Sequence, residues 1–482
     1  MKTQKLKTAI FMLLMLLLLI PVIQQKTGLL SVKNLRGQSD PAVYPKFSLK
    51  TWFTDEFQVQ FNQATEENVG FRPLLIRMKN QLEYSIYNKA NASGVVSGKH
   101  RYLFESDYIR SYTGRDYLGE YYWEQKFNRM KLVRDTLSKL GIKLAIVLEP
   151  GKATCQPENI PSRFNRFRSD RTNYQAIIRE SAIKGIPVLD LNRYFHEKAG
   201  SAPYPLFPKG GIHWSAGGMV LAADTLLSFI DKTLLLPVPD LVIDRVEMSD
   251  SLRDTDGDLV EIMNLLREPG HPKMGYPVFH LADPDSVRKP SVLVISDSYY
   301  FNILNAKIPA RAFANEAFWY YNKTVYPETW SSLKYTDPVE VPKRVESMDL
   351  VLIMVTERFY HRFDWDFTDD LYHHYFPSAA KEYRYDFMRS IIGSYIWFDD
   401  IQQKSDYSGV PMEDKLAGNA DYLFWLDDRA GKVPHDIGYY RMNILKDPAW
   451  MEKVRTKARD NKISVDEQVT RDAAWMMQES NK

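Results

Sequence analysis

Val292-Leu293-Val294-Ile295 and Leu350-Val351-Leu352-Ile353-Met354-Val355 are two short runs of this 482-residue chain with no polar side chain. Uninterrupted apolar runs rich in β-branched residues suit strands buried on both faces, the kind found in parallel sheets covered by helices. The first run ends in Ser296-Asp297-Ser298, and the residues after it read as a helix. Ser298 is therefore expected at a strand-to-helix turn on the carboxyl edge of a sheet, where open α/β proteins place their ligands. Backbone N–H groups at such a helix start can hold an oxyanion. A serine hydroxyl also needs a base, and His213 in Gly211-Ile212-His213-Trp214-Ser215 is the candidate.

The segments between these motifs support the same architecture. Phe127, Met130, Val133 and Leu137 give residues 121–140 helical spacing, closed by Gly141. A strand is expected at 143–148, a loop through Pro150-Gly151-Lys152, a helix near 172–184 and a strand at 188–190. Residues 99–104 read as a short strand, 259–266 as a helix, and Phe318-Trp319-Tyr320-Tyr321-Asn322 as a loop. Alternating strands and helices predict an α/β fold with a mainly parallel sheet and helices on both faces. Beyond about Arg389 strand signals fade and helical spacing continues, so 389–482 is expected to be a helical module with a packing or protein-contact role.

The N-terminus reads as a targeting element. Lys2, Lys5 and Lys7 precede an apolar block from Ala9 to Ile23, with no small-residue cleavage site after it. A signal anchor over 1–27 is favoured, with the lysines on the cytoplasmic side and the remainder exported. Residues 28–98 then form a tether and an N-terminal helical region. A net charge of +2 provides no field to recruit nucleic acid. The lone Cys155 excludes an intrachain disulfide. Asp254-Thr255-Asp256-Gly257-Asp258 lacks the glycine placement of a calcium loop and reads as an acidic turn before a helix. No metal or cofactor is expected.

In the order and spacing of its motifs, the region from about Lys99 to Tyr360, within a catalytic domain expected over 99–388, resembles the SGNH-hydrolase-like domain of the AlgX/AlgJ-type alginate O-acetyltransferases. Gly98-Lys99-His100-Arg101-Tyr102-Leu103-Phe104 is similar to the family's G-K-D-G-W-L-F segment, and Glu149-Pro150-Gly151-Lys152 with Pro157-Glu158 and Pro161 to its P-x-K…P-E…P loop. Gly211-Ile212-His213-Trp214-Ser215 resembles D-x-H-W-[ST], and Ser296-Asp297-Ser298-Tyr299 resembles G-x-S-Y. Thr356-Glu357-Arg358-Phe359 is similar to a family E-R segment. The resemblance implies a periplasmic enzyme that places acetyl groups on polysaccharide hydroxyls. It also implies an inner-membrane attachment and a membrane-bound O-acyltransferase as acyl donor. Ser298 would be the nucleophile and His213 the base.

The chain departs from the pattern where the family carries its acid, two residues before the histidine, because Gly211 stands there. Three explanations are open: a substitute carboxylate (Asp190, Glu149 or Asp297), a Ser–His dyad oriented by a backbone carbonyl, or a non-catalytic glycan-binding relative. Each site residue also has a plain structural reading. Ser298 suits an N-cap, Asp297 a cap or turn, Trp214 and His213 packing, and Lys152 a solvated loop. Asn322 and Tyr321 are candidates for oxyanion or substrate contact, and Arg358 for a substrate contact or an ion pair with Glu357. A carbohydrate esterase or deacetylase using the same Ser–His pair is the main alternative to acyl transfer.

Overall fold

The computed structural model describes residues 2–37, 41–282 and 288–480. They divide into two compact units, one comprising Met1–Ser106, Phe207–His213 and Asp250–Lys273, the other Asp107–Leu206, Trp214–Ser249 and Met274–Lys482.

The first unit begins with the helix Lys2–Thr27, which runs through Pro21. Its segment Gln4–Thr27 is long and apolar enough to cross a membrane. The helices Glu56–Glu67 and Arg72–Tyr87 follow. Strands β1 (Val95–Ser97) and β2 (Leu103–Glu105) pair antiparallel, with Val96 opposite Phe104. The strand expected over 99–104 is broken. Lys99–Arg101 forms a tight 3-10 turn in which His100 and Arg101 have φ of 53° and 62°, a left-handed conformation that no strand tolerates.

In the second unit, strands β3 (Lys143–Glu149) and β4 (Val188–Asp190) precede a two-stranded antiparallel ribbon of β5 (Leu241–Ser249) and β6 (Met274–Leu281). Strands β7 (Val292–Ser296), β8 (Ala317–Tyr320), β9 (Thr324–Tyr326) and β10 (Leu350–Thr356) follow. The main sheet has the order β4-β3-β10-β7-β8-β9, parallel throughout except for β9. Both fully apolar runs lie at its centre, where Ile353 of β10 is opposite Ile146 of β3 and Ile295 of β7.

Leu144, Ile146, Leu148, Leu293, Ile295, Val351 and Ile353 share a core with Phe127, Met130, Val133 and Leu137 of the helix Glu120–Lys139. The alternate residues Ala145, Val147, Val294, Leu352 and Met354 are equally buried, so both sheet faces are covered. The helix Asn173–Lys184 starts with a capping box between Thr172 and Gln175 and ends at Gly185, φ 65°. Residues expected to form a loop at 318–320 instead belong to β8, because Phe318 and Trp319 are buried in the sheet's register with Val294 and Ile295. The helix expected over 259–266 is the shorter Asp258–Ile262. The C-terminal region is helical, from Tyr383–Gly393 to Val465–Ser480, with a small core of its own around Ile444, Val454 and Val469.

One buried ionic cluster shapes the loop after β10. Lys126 Nζ lies 2.5 Å from Asp364 and 2.7 Å from Asp369. Arg129 bridges Asp369 and Asp386 at 3.0 and 2.9 Å, and Arg389 reaches Asp366 at 2.8 Å. These contacts hold Asp364, Trp365 and Asp366 in three consecutive left-handed conformations, φ 57°, 47° and 65°. Such a run is costly and persists only where its surroundings over-determine it. Lys126→Met, which leaves Asp364 without its cation, should lower unfolding stability by about 3–5 kcal/mol in urea denaturation.

Candidate active site

The turn after β7 is built around Asp297. This residue is fully buried. One carboxylate oxygen accepts the Tyr299 N–H at 3.0 Å, and the other accepts the N–H and hydroxyl of Thr356 at 3.0 and 2.6 Å. Asp297 thus joins the ends of β7 and β10 and sets the turn on which Ser298 sits, half-buried. The turn continues into the helix Tyr300–Asn305, and the Ser298 carbonyl accepts the Phe301 N–H at 3.2 Å. Tyr299 is fixed by a 2.9 Å hydrogen bond between its hydroxyl and that of Tyr108, and by Trp214, whose ring lies 5.0 Å away. Trp214 Nε1 also donates to Asn302 Oδ1 at 3.2 Å.

His213 belongs to the other unit, and its partner was not among the acids expected. His213 Nδ1 lies 2.8 Å from Asp258 Oδ2, while Asp258 Oδ1 accepts the Ile212 N–H at 2.8 Å. The carboxylate therefore grips both ring and backbone, fixing the orientation of the imidazole. Asp258 opens the helix Asp258–Ile262, and the Val260 N–H donates to the Gly210 carbonyl at 3.1 Å, docking that helix start on the His213 segment.

Gly211 follows from the same docking. A Cβ at this position would lie 2.6 Å from the Thr255 carbonyl oxygen and 2.9 Å from that of Asp256. The segment that delivers Asp258 occupies the space a side chain at 211 would need. The glycine at 211 and the placement of Asp258 beside His213 are two sides of one packing arrangement.

The three substitutes expected from the sequence have other partners. Asp190 caps the helix Leu191–Lys198 through the Arg193 N–H at 3.0 Å and accepts the Tyr174 hydroxyl at 2.7 Å. Asp297 serves the turn just described. Glu149 is fully buried, with the Ser296 hydroxyl 3.5 Å away. Burial and the neighbouring Asp297 charge push its carboxyl well above the usual range, which favours the neutral acid.

Other expected contacts are redistributed. Asn322 is a turn residue between β8 and β9 with φ 53°, and its amide donates to the Trp365 carbonyl at 3.1 Å. Tyr321 packs among Tyr320, Phe359 and Trp365, and burial followed by its hydrogen bond with Tyr320 raises its phenol strongly. Lys152 is buried at the start of the short helix Lys152–Cys155 rather than solvated on a loop. The Cys155 thiol is pushed up to about 12 by burial, so it is no rival nucleophile. Arg358 lies over the Phe359 ring at 4.5 Å and 5.9 Å from that of Tyr108. Asp258 stands in plain view at the end of the 254–258 acidic run. Its 45-residue separation from His213 left no local spacing by which to pair them.

Replacing Gly211 with the acid that its position resembles should not improve the site. Gly211→Asp is expected to displace the 255–258 segment, lowering stability by about 1–3 kcal/mol. The shift of the His213 imidazole NMR signal caused by losing Asp258 checks this directly.

Residues 95–287 match the family model described as SGNH hydrolase-like domain, acetyltransferase AlgX. A curated relative, "Probable alginate O-acetylase AlgJ" of Pseudomonas aeruginosa, is 27% identical over 158 residues, which span 33% of this chain and 38% of that protein. Among solved structures, the O-acetyltransferase domain of Pseudomonas putida AlgJ is 18% identical with a TM-score of 0.39, covering 58% of this chain and 99% of that one. Pseudomonas aeruginosa AlgX is 16% identical with a TM-score of 0.38, over 58% and 68% of the two chains. Over residues 95–287 the chain is similar to the SGNH-hydrolase-like domain of the AlgX/AlgJ acetyltransferases.

Proposed function

We propose that the chain is a polysaccharide O-acetyltransferase that works through a Ser298–His213–Asp258 triad. The observation that carries this reading is the 2.8 Å contact between Asp258 and His213 Nδ1, which fills the role left vacant by Gly211. With Nδ1–H held by Asp258, the imidazole presents Nε2 as the base and its charged form is stabilised. His213 Nε2 takes the proton of Ser298 Oγ as that oxygen attacks the acyl carbon of the donor. Backbone N–H groups of the turn hold the oxyanion. The Tyr299 N–H, already engaged by Asp297, is excluded from that task. The tetrahedral adduct collapses with loss of the donor's leaving group, which takes the proton from His213. A glycan hydroxyl then gives its proton to His213, attacks the acyl-serine, and leaves as the ester when Ser298 is reprotonated.

The description of the relative as an alginate O-acetylase supports a polysaccharide acceptor and an acetyl group. In this reading the helix Lys2–Thr27 anchors the protein at the inner membrane, with the remainder in the periplasm. A membrane-bound O-acyltransferase supplies the acyl group. No cofactor enters the chemistry.

With a chromogenic acetyl ester and an oligosaccharide acceptor, Ser298→Ala and His213→Ala should abolish acetyl transfer to sugar. Asp258→Asn should lower kcat by about 10⁴. Asp190→Asn should stay close to wild type. Acetate release without acetylated sugar would instead identify a hydrolase, and full activity in Asp258→Asn would overturn the triad.

A further inference from the structure

The loop that follows β10, Glu357–Asp366, and the C-terminal helix Tyr395–Ser408 enclose a cavity of about 450 Å³. Arg110, Arg358, His361, Arg362, Tyr395 and Phe398 are among its lining residues. The volume falls within the usual range for a small-ligand pocket, about 300–1,000 Å³.

Arg362 is the unusual member. Its guanidinium lies 3.5 Å from the centroid of the Tyr395 ring and 5.7 Å from that of Phe398. Among the described residues it forms no hydrogen bond and no ion pair. The neighbouring charges are arranged differently. Arg110 makes a forked pair with Asp406 at 3.1 and 2.7 Å, His361 stacks on Phe398 with Asp116 3.5 Å from its Nδ1, and Asp399 accepts from Gln403. Asp107, Asp116 and Asp399 line the cavity too, yet none pairs with Arg362. A guanidinium stacked on an aromatic face has its donor edge fixed in plane, ready for two parallel hydrogen bonds to one oxyanion. Burial lowers the Arg362 pKa, outweighing the nearby Tyr395 and Asp107, which raise it.

The loop is rigid by construction. Its left-handed residues 364–366 are held by Lys126 and Arg389, and the Trp365 carbonyl by Asn322. At the other end of the loop, Arg358 approaches Tyr108, which is hydrogen-bonded to Tyr299 beside Ser298. The cavity wall is thus linked to the turn carrying Ser298 through the packed side chains of Tyr108 and Tyr299.

We propose that this cavity is an acceptor subsite that takes an anionic substituent, carboxylate or sulfate, of a glycan unit on the Arg362 fork, with Tyr395 and Phe398 from the C-terminal helices as its wall. The proposal rests on the glycan-acceptor reading above and gives the C-terminal module a part in acceptor choice.

Calorimetric titration of the full-length protein in nanodiscs tests it, using a uronic-acid oligosaccharide, a sulfated oligosaccharide and a neutral one of equal length. Wild type should favour an anionic oligosaccharide, the preferred member telling carboxylate from sulfate. Arg362→Gln should weaken that binding by about 10-fold or more. Gln402→Glu, which adds a negative charge at the cavity wall without removing a contact, should weaken it as well, and Gln402→Lys should strengthen it. Equal binding of neutral and anionic sugars by wild type, or indifference of anionic binding to both Gln402 variants, would overturn the subsite. Ester cleavage by wild type and Ser298→Ala, run in parallel, reads the catalytic proposal separately. Anion-selective binding without Ser298-dependent cleavage would sink the enzyme and leave the subsite standing.

Discussion

One buried carboxylate, Asp297, ties together the central strand ends of the main sheet. Asp297 sits where β7 ends, and its two oxygens reach forward to the Tyr299 N–H and sideways to the N–H and hydroxyl of Thr356 at the end of β10. The turn carrying Ser298 and the loop carrying Arg358 and Arg362 therefore leave the sheet from a single tied point. A carboxylate so deep in a protein is tolerated because three donors meet it. Its charge also helps keep Glu149 neutral at the neighbouring strand end.

In the proposed triad the acid's role passes to a residue outside the histidine's own motif. In the pattern that this segment resembles, the acid lies two residues upstream of the histidine. Here that position is a glycine, and the acid arrives from a helix start that packs over the glycine's Cα. A side chain at 211 and the observed 255–258 segment compete for the same space. Under the proposed reading, the glycine goes with a different carboxylate beside His213.

What the sequence disclosed follows the physics of each element. The central strands were legible because burial on both faces demands runs such as Val292–Ile295, and the helix Asn173–Lys184 because Thr172, Gln175 and Gly185 mark its ends locally. The strand assigned to 99–104 failed because left-handed conformations at His100 and Arg101 arise from packing rather than propensity. The β5–β6 ribbon, with much of its surface exposed, has no such apolar run and went unread. The segments around Ser298 and His213 are readable as short motifs. The contact of Asp258 with His213 is not, because it joins residues 45 apart with no periodicity to announce it.

The acyl-enzyme itself offers the most direct test. The full-length protein would be incubated with an activated acetyl ester and no sugar acceptor, quenched in acid, digested and mapped by mass spectrometry. A single acetyl group is predicted on the peptide containing Ser298, absent from Ser298→Ala and discharged when an oligosaccharide is added before the quench. An unmodified Ser298 peptide under conditions where acetyl still reaches sugar, or an acetyl group carried at another side chain, would contradict the account.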